Sequence, residues 1–142
     1  MAMIMVFTYM PGMAWADGDG GTPASGTTTA TVNFTAQAEG GFLVAPQFGV
    51  SVSSDLAESY GYTDQVADGV SALDVLVKAH ELIFGEGFTK DTANTMLVVP
   101  STGFISKIFG TETSSCGFML NGAYPNDGTE SAYGGGYNGT TV

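Results

Sequence analysis

The chain of 142 residues carries one histidine, one cysteine and three lysines against 14 acidic residues, which leaves it a narrow choice of chemistry. His80 is the sole imidazole, so His-pair mechanisms and His-rich metal sites are excluded. It falls on the apolar stripe of a predicted helix, where packing or capping is the expected role; a general base needs an oriented partner. Cys116 opens a predicted strand without the cationic neighbour that would lower its pKa, the setting of an inert buried thiol. A single cysteine also forbids an internal disulfide and a multi-thiolate zinc site. Asp64 with Asp68, and Asp127 with Glu130, are spaced like acid/base pairs. Glycosidase chemistry needs two carboxylates pinned across a cleft, and acids spread so widely along a chain are expected on a solvated surface. Asp17-Gly18-Asp19-Gly20 has the alternation of a calcium loop but lacks the later oxygen ligands. No GxSxG, HExxH or P-loop spacing occurs. The residues predict no catalytic group, no metal site and no cofactor: the chain is not expected to be an enzyme, and a hydrolase is the least supported reading.

The remaining lead is aromatic. Phe118, Tyr124, Tyr133 and Tyr137 lie among Gly122, Gly128 and Gly134-Gly135-Gly136. Aromatic side chains on Gly-rich loops make rigid, amphipathic contact surfaces at small entropy cost. These four are the candidate ligand-binding residues, suited to a glycan, a flat macrocycle or a protein; the alternative is that Phe118 and one tyrosine belong to the core. Nucleic acid is excluded as a partner, because Lys78, Lys90 and Lys107 stand apart and the formal net charge is -11. The same scarcity of cations argues against anionic lipid surfaces and phosphorylated ligands.

The elements that position these residues are punctuated clearly. Ala30, Val32, Phe34 and Ala36 alternate with polar residues, the period of a half-buried strand. A turn follows at Glu39-Gly40-Gly41, and a second strand runs past Pro46 with Phe48, Val50 and Val52 on one face. Asp55 to Tyr60 predicts a helical turn closed by Gly61. Ser71 is a natural N-cap, with Asp74 at the third position of a variant capping box, and Gly85 closes the helix. Within it Leu73, Leu76, Val77, His80 and Phe84 form the apolar stripe, with Asp74, Lys78 and Glu81 opposite. A short helix over Thr89–Met96 is expected, then strands over Gly103–Phe109 and Ser115–Asn121, with Asn121-Gly122 as a turn. This order predicts an α+β fold: a small β-grasp-like sheet with one main helix packed on one face.

Residues 1–16 have the pattern of a signal peptide. MAMIMVFTYM is uncharged and apolar, too short to span a bilayer, which needs about 20 residues. Pro11-Gly12 breaks it, and Ala14-Trp15-Ala16 supplies small residues for cleavage before Asp17. The missing positive region implies a start further upstream, and the alternative is a buried N-terminal strand. Residues 17–29 read as a flexible Gly/Ser/Thr linker, and 30–142 as the domain. The expected location is secreted or cell surface, with no membrane span in the mature chain.

Three segments carry a family resemblance: GVSALDVLVKAHE (69–81), STGFISKIFG (101–110) and CGFMLNGAYPNDG (116–128). Together they resemble the transcobalamin-like C-terminal domain family, a domain of unknown function in exported bacterial proteins. Ser71, Asp74, Leu76 and Ala79 match its helix motif. Residues 117–122 match its "GW-Y-vNG" strand and turn, with Phe118 where tryptophan is common. The resemblance covers most of the chain from about Thr29, with an insertion at Asp55–Ala67. It implies a final strand beyond Val142, so the domain is expected to be incomplete at its C-terminus, with Tyr133–Val142 lacking a partner and Gly134–Val142 poorly ordered. It implies a non-catalytic binding or spacer module. Cobalamin binding is the alternative, and it comes from the resemblance alone, since no corrinoid-contacting position can be matched.

Overall fold

The computed structural model describes residues 3–9, 27–38, 40–62, 67–100, 105–113, 116–124 and 136–142. Four strands form one mixed sheet: β1 (Met3–Tyr9), β2 (Thr29–Ala38), β3 (Gly41–Ser53) and β6 (Cys116–Leu120). Their order is β3-β2-β1-β6. β1 runs antiparallel to β2 and parallel to β6. Two short strands, β4 (Lys107–Ile108) and β5 (Thr111–Glu112), pair separately. The helices are α1 (Leu56–Ser59), α2 (Ala72–Phe84), α3 (Ala93–Met96) and α4 (Gly136–Gly139). The architecture is α+β, and α2 packs on the sheet through a core shared with β2, β3 and β6.

β2 alternates as its sequence predicts, with Val32, Phe34 and Ala36 buried. β3 does not. It uses 13 residues where β2 uses 10, and the register slips between Val32 and Phe34, between Phe34 and Ala36, and between Ala36 and Gln37. At the first slip Gly49 takes φ 64° and its N–H donates to Asn33 Oδ1 at 2.7 Å. Glycine reaches this left-handed region without steric cost, which is why it marks bulges. The extra residue turns Phe48 away from the core face predicted for it and leaves it 77% exposed. Pro46 lies at the second slip, on an edge strand where its missing N–H is tolerated.

The main helix follows its end signals. Ser71 caps it, the Asp74 N–H donates to Ser71 Oγ, and the Asp74 carboxylate accepts the Ser71 N–H, completing the box. Gly85 is the C-cap. Asp74 is not on a solvated face, however. α1 covers it, and Asp74 Oδ1 accepts the Ala57 N–H at 2.9 Å. Residues 72–77, 79 and 80 are all buried, because elements pack on more than one side of the helix.

Other expectations need correction. Helical structure within Thr89–Met96 is confined to Ala93–Met96; Thr89–Thr92 is a turn in which Thr92 Oγ1 accepts the Thr89 N–H at 2.9 Å. Of Gly103–Phe109, residues 103 and 104 lie outside the described residues and only Lys107–Ile108 is a strand, one that turns back on β5 rather than joining the main sheet. The tail does have a partner over residues 136–142. The Ala72 N–H donates to Thr140 O, the Val142 N–H donates to Val70 O, both at 2.9 Å, and Thr141 bridges Ser71. The first of these bonds satisfies the Ala72 N–H, one of the donors that a helix start leaves open. The segment with the signal-peptide pattern supplies β1, the strand alternative to an export segment.

Candidate functional site

The polar groups best suited to chemistry are each engaged in structure. His80 is fully buried in α2 and sits among Phe84, Phe88 and Phe109, stacked on the last at 4.2 Å between ring centroids. Its Nδ1 lies 2.8 Å from Leu76 O, and its Nε2 accepts the Phe109 N–H at 3.0 Å. That pairing makes the ring a neutral Nδ1–H tautomer with both nitrogens occupied. Burial pulls its pKa down to about 4, against the opposing pull of the Leu76 and Met96 carbonyls. A proton acceptor with no face open to a substrate fits packing rather than base chemistry.

Cys116 is half-buried at the start of β6. Burial pushes its thiol pKa up to about 11, partly offset by the neighbouring Tyr137 hydroxyl. A thiol with so little thiolate is a poor nucleophile. Of the paired carboxylates, Asp68 is exposed and its backbone carbonyl accepts from Thr141 Oγ1 at 3.2 Å. Asp64, Asp127 and Glu130 lie outside the described residues, as does the Asp17–Gly20 run. Among the described residues no group of three or more His, Cys, Asp or Glu could hold a metal ion.

The four aromatic candidates divide. Phe118 is 0% and Tyr137 4% exposed, and their rings meet at 4.4 Å, joining β6 to α4. This is the core alternative of the sequence reading, and it leaves these two little surface to offer a ligand. Tyr124, at 49% exposure, stands just past the Asn121-Gly122 turn. In that turn Asn121 and Gly122 both have positive φ, at 52° and 80°, the pattern of the tight hairpin turn that the Asn-Gly pair favours. Tyr133 lies outside the described residues.

Sequence reasoning missed a second exposed apolar group. Phe42 (58% exposed), Leu43 and Phe48 project from β3, an edge strand of the sheet. The overlooked signal was the pair of breakers Pro46 and Gly49 inside an alternating run, which points to bulges rather than to a regular strand. A cleft of about 630 Å³ lies elsewhere, lined by Val98, Ser106, Lys107, Glu112 and Thr113. It is broadly open, and its cation and carboxylate occupy paired positions of β4 and β5. Nothing in it concentrates charge or excludes water.

No family model, no curated protein and no solved structure matches the chain. No helix among the described residues is long and apolar enough to cross a membrane.

Proposed function

We propose that this chain is a non-catalytic extracellular or cell-surface module of an exported bacterial protein, one that binds a glycan or a protein, or spaces other domains. The observation that carries the reading is the contrast between its polar and apolar groups. The histidine, the thiol and the buried carboxylate are spent on packing and capping, while Phe42, Leu43 and Phe48 are displayed at a sheet edge. Exposed aromatics of this kind suit contact surfaces. The mixed sheet with one main helix on it is compatible with a β-grasp-like arrangement, and the capped helix and Asn-Gly turn support kinship with the transcobalamin-like C-terminal domains. Export is supported by the uncharged opening run and Ala14-Trp15-Ala16.

Two measurements test the reading. Expression in a secreting bacterium with mass spectrometry of the released product should give an N-terminus at Asp17; an intact Met1 in secreted material overturns export. Binding to immobilised cell-wall glycans and to surface protein extracts should weaken at least tenfold in a Phe42→Ser, Phe48→Ser double variant whose melting temperature is unchanged. Saturable binding of cobalamin by the wild type, unaffected by that variant, would replace the proposed surface with a corrinoid site.

A further inference from the structure

β1 is the most separable part of the sheet. Residues 10–28 connect it to β2, although antiparallel neighbours can be joined by as few as two residues. Residues 17–28 of that connection are rich in Gly, Ser and Thr and poor in apolar residues. The strand also coincides with the run patterned for removal on export. Yet it is paired on both sides: Met5 stands between Ala36 of β2 and Phe118 of β6, and Phe7 between Phe34 and Leu120. Among the described residues, β1 is the strand that pairs with β6 in the main sheet.

The two strands flanking β1 are held by contacts that do not pass through it. β2 pairs with β3 along its length and shares the core with α2. β6 is fixed by Phe118 against Tyr137, and the segment carrying Tyr137 is bonded to residues 70–72 at the head of α2. Taking β1 away therefore leaves two anchored strands about 9 to 10 Å apart, twice the spacing of paired strands. They could not bond to each other without moving. Each would face the gap with unpaired backbone N–H and C=O groups, which bind an added strand readily.

We propose that the place held by β1 is a strand-acceptor site. Once the N-terminal run is removed, it takes an extended, uncharged apolar segment of another polypeptide, antiparallel to β2 and parallel to β6. The occupant's chemistry follows from what flanks it. The positions of Met5 and Phe7 lie between buried or half-buried apolar residues on both sides, so a donor needs apolar residues two apart there. A charge at either position would be desolvated without a partner. The backbone supplies the affinity, and those alternating positions supply the selectivity. The inference rests on the export reading for its setting, but its test does not depend on secretion.

The test uses the full chain with a specific protease site inserted between Gly20 and Gly21. After cutting, the N-terminal piece should stay bound through size-exclusion chromatography. It should then exchange one-for-one with a labelled peptide of the Met3–Tyr9 sequence, flanked by lysines for solubility. Saturating peptide should raise the melting temperature of the cut chain by roughly 5 to 10 °C. A peptide with Val6→Pro should lose binding at least a hundredfold, because both sides of a central strand are paired, and one with Met5→Asp should lose it similarly. Two results overturn the proposal. In one, the cut piece leaves, no peptide enters, and hydrogen exchange shows β6 protected directly against β2. In the other, cut or uncut chains exchange β1 between copies as a stable dimer, so that the site is filled only by its own kind. An N-terminus other than Asp17 in the secretion experiment would remove the export setting while leaving this acceptor result intact.

Discussion

Asp74 in the first turn of α2 accepts the backbone N–H of Ala57, 17 residues upstream, at 2.9 Å. Its other oxygen takes the Ser71 N–H at 2.8 Å and the Ser71 hydroxyl at 2.7 Å. One buried carboxylate thus caps the main helix and fastens α1 to it. Asp74→Ala leaves two buried backbone donors without their partner, each costing about 1 to 3 kcal/mol. The expected loss is about 3 kcal/mol or more in denaturant unfolding, with α1 the first region to lose hydrogen-exchange protection. Asp74→Asn keeps one acceptor oxygen and should lose roughly half as much. An Asn variant as stable as the wild type would show that the network is not stabilising.

His80 makes stability depend on pH in a direction that can be fixed in advance. Its folded pKa lies near 4, below the ordinary 6.5, because burial disfavours the imidazolium. The unfolded chain therefore takes up the proton first. The stabilising contribution is fully present above pH 6.5 and is lost as pH falls toward 4. At 1.36 kcal/mol per pKa unit the loss is about 3 kcal/mol over that window. His80→Gln should be less stable at pH 7, yet its unfolding free energy should fall less between pH 6.5 and 4.5. Parallel pH curves for the two proteins would mean that the ring does not titrate with folding.

How much of this was legible in the sequence depends on the range of the interaction. The limits of α2 were readable because Ser71, Asp74 and Gly85 act on their own backbone within one turn. β2 was readable because alternation on a strand that keeps its core face reports that face. The burial of Asp74 was not, since it depends on α1, 17 residues upstream, packing over it. The exposure of Phe48 was hidden in another way: alternation presumes an unbroken register, and one bulge reverses the face. The aromatic candidates were read from composition, which cannot tell a loop tyrosine from one that closes a core, so Tyr137 and Tyr124 looked alike. The N-terminal run fits two physical descriptions at once, because an uncharged apolar stretch suits both a signal segment and a sheet strand.

The Cys116 thiol is expected to be slow toward alkylating agents. With a pKa near 11, raised chiefly by burial, about one thiol in a thousand is ionised at pH 8. For an ordinary cysteine with a pKa near 8.5 the fraction is about a quarter. Reaction with iodoacetamide at pH 8 should run on the order of a hundred times slower than in the urea-unfolded chain. Tyr137→Phe removes the hydroxyl whose influence opposes this rise, so it should slow the folded protein further if the core is otherwise kept. Equal rates in folded and unfolded chains would contradict the buried position of the thiol.

The bulge at Gly49 can be tested apart from any function. A Cβ added there meets nothing within 4 Å, so substitution creates no clash and the cost comes from the backbone alone. Holding alanine at φ 64° should cost about 1 to 2 kcal/mol. Asparagine, which enters the left-handed region more easily, should cost less than alanine. Asn33→Ala removes the side-chain oxygen that accepts the Gly49 N–H at 2.7 Å, a loss of about 1 kcal/mol. Because both changes act on one bulge, the double variant should lose less than the two single losses added together. If Gly49→Ala and Gly49→Asn are equally destabilised, the left-handed backbone is not the cause. If the two losses simply add, Asn33 is not holding the bulge, and the outward position of Phe48 needs another explanation.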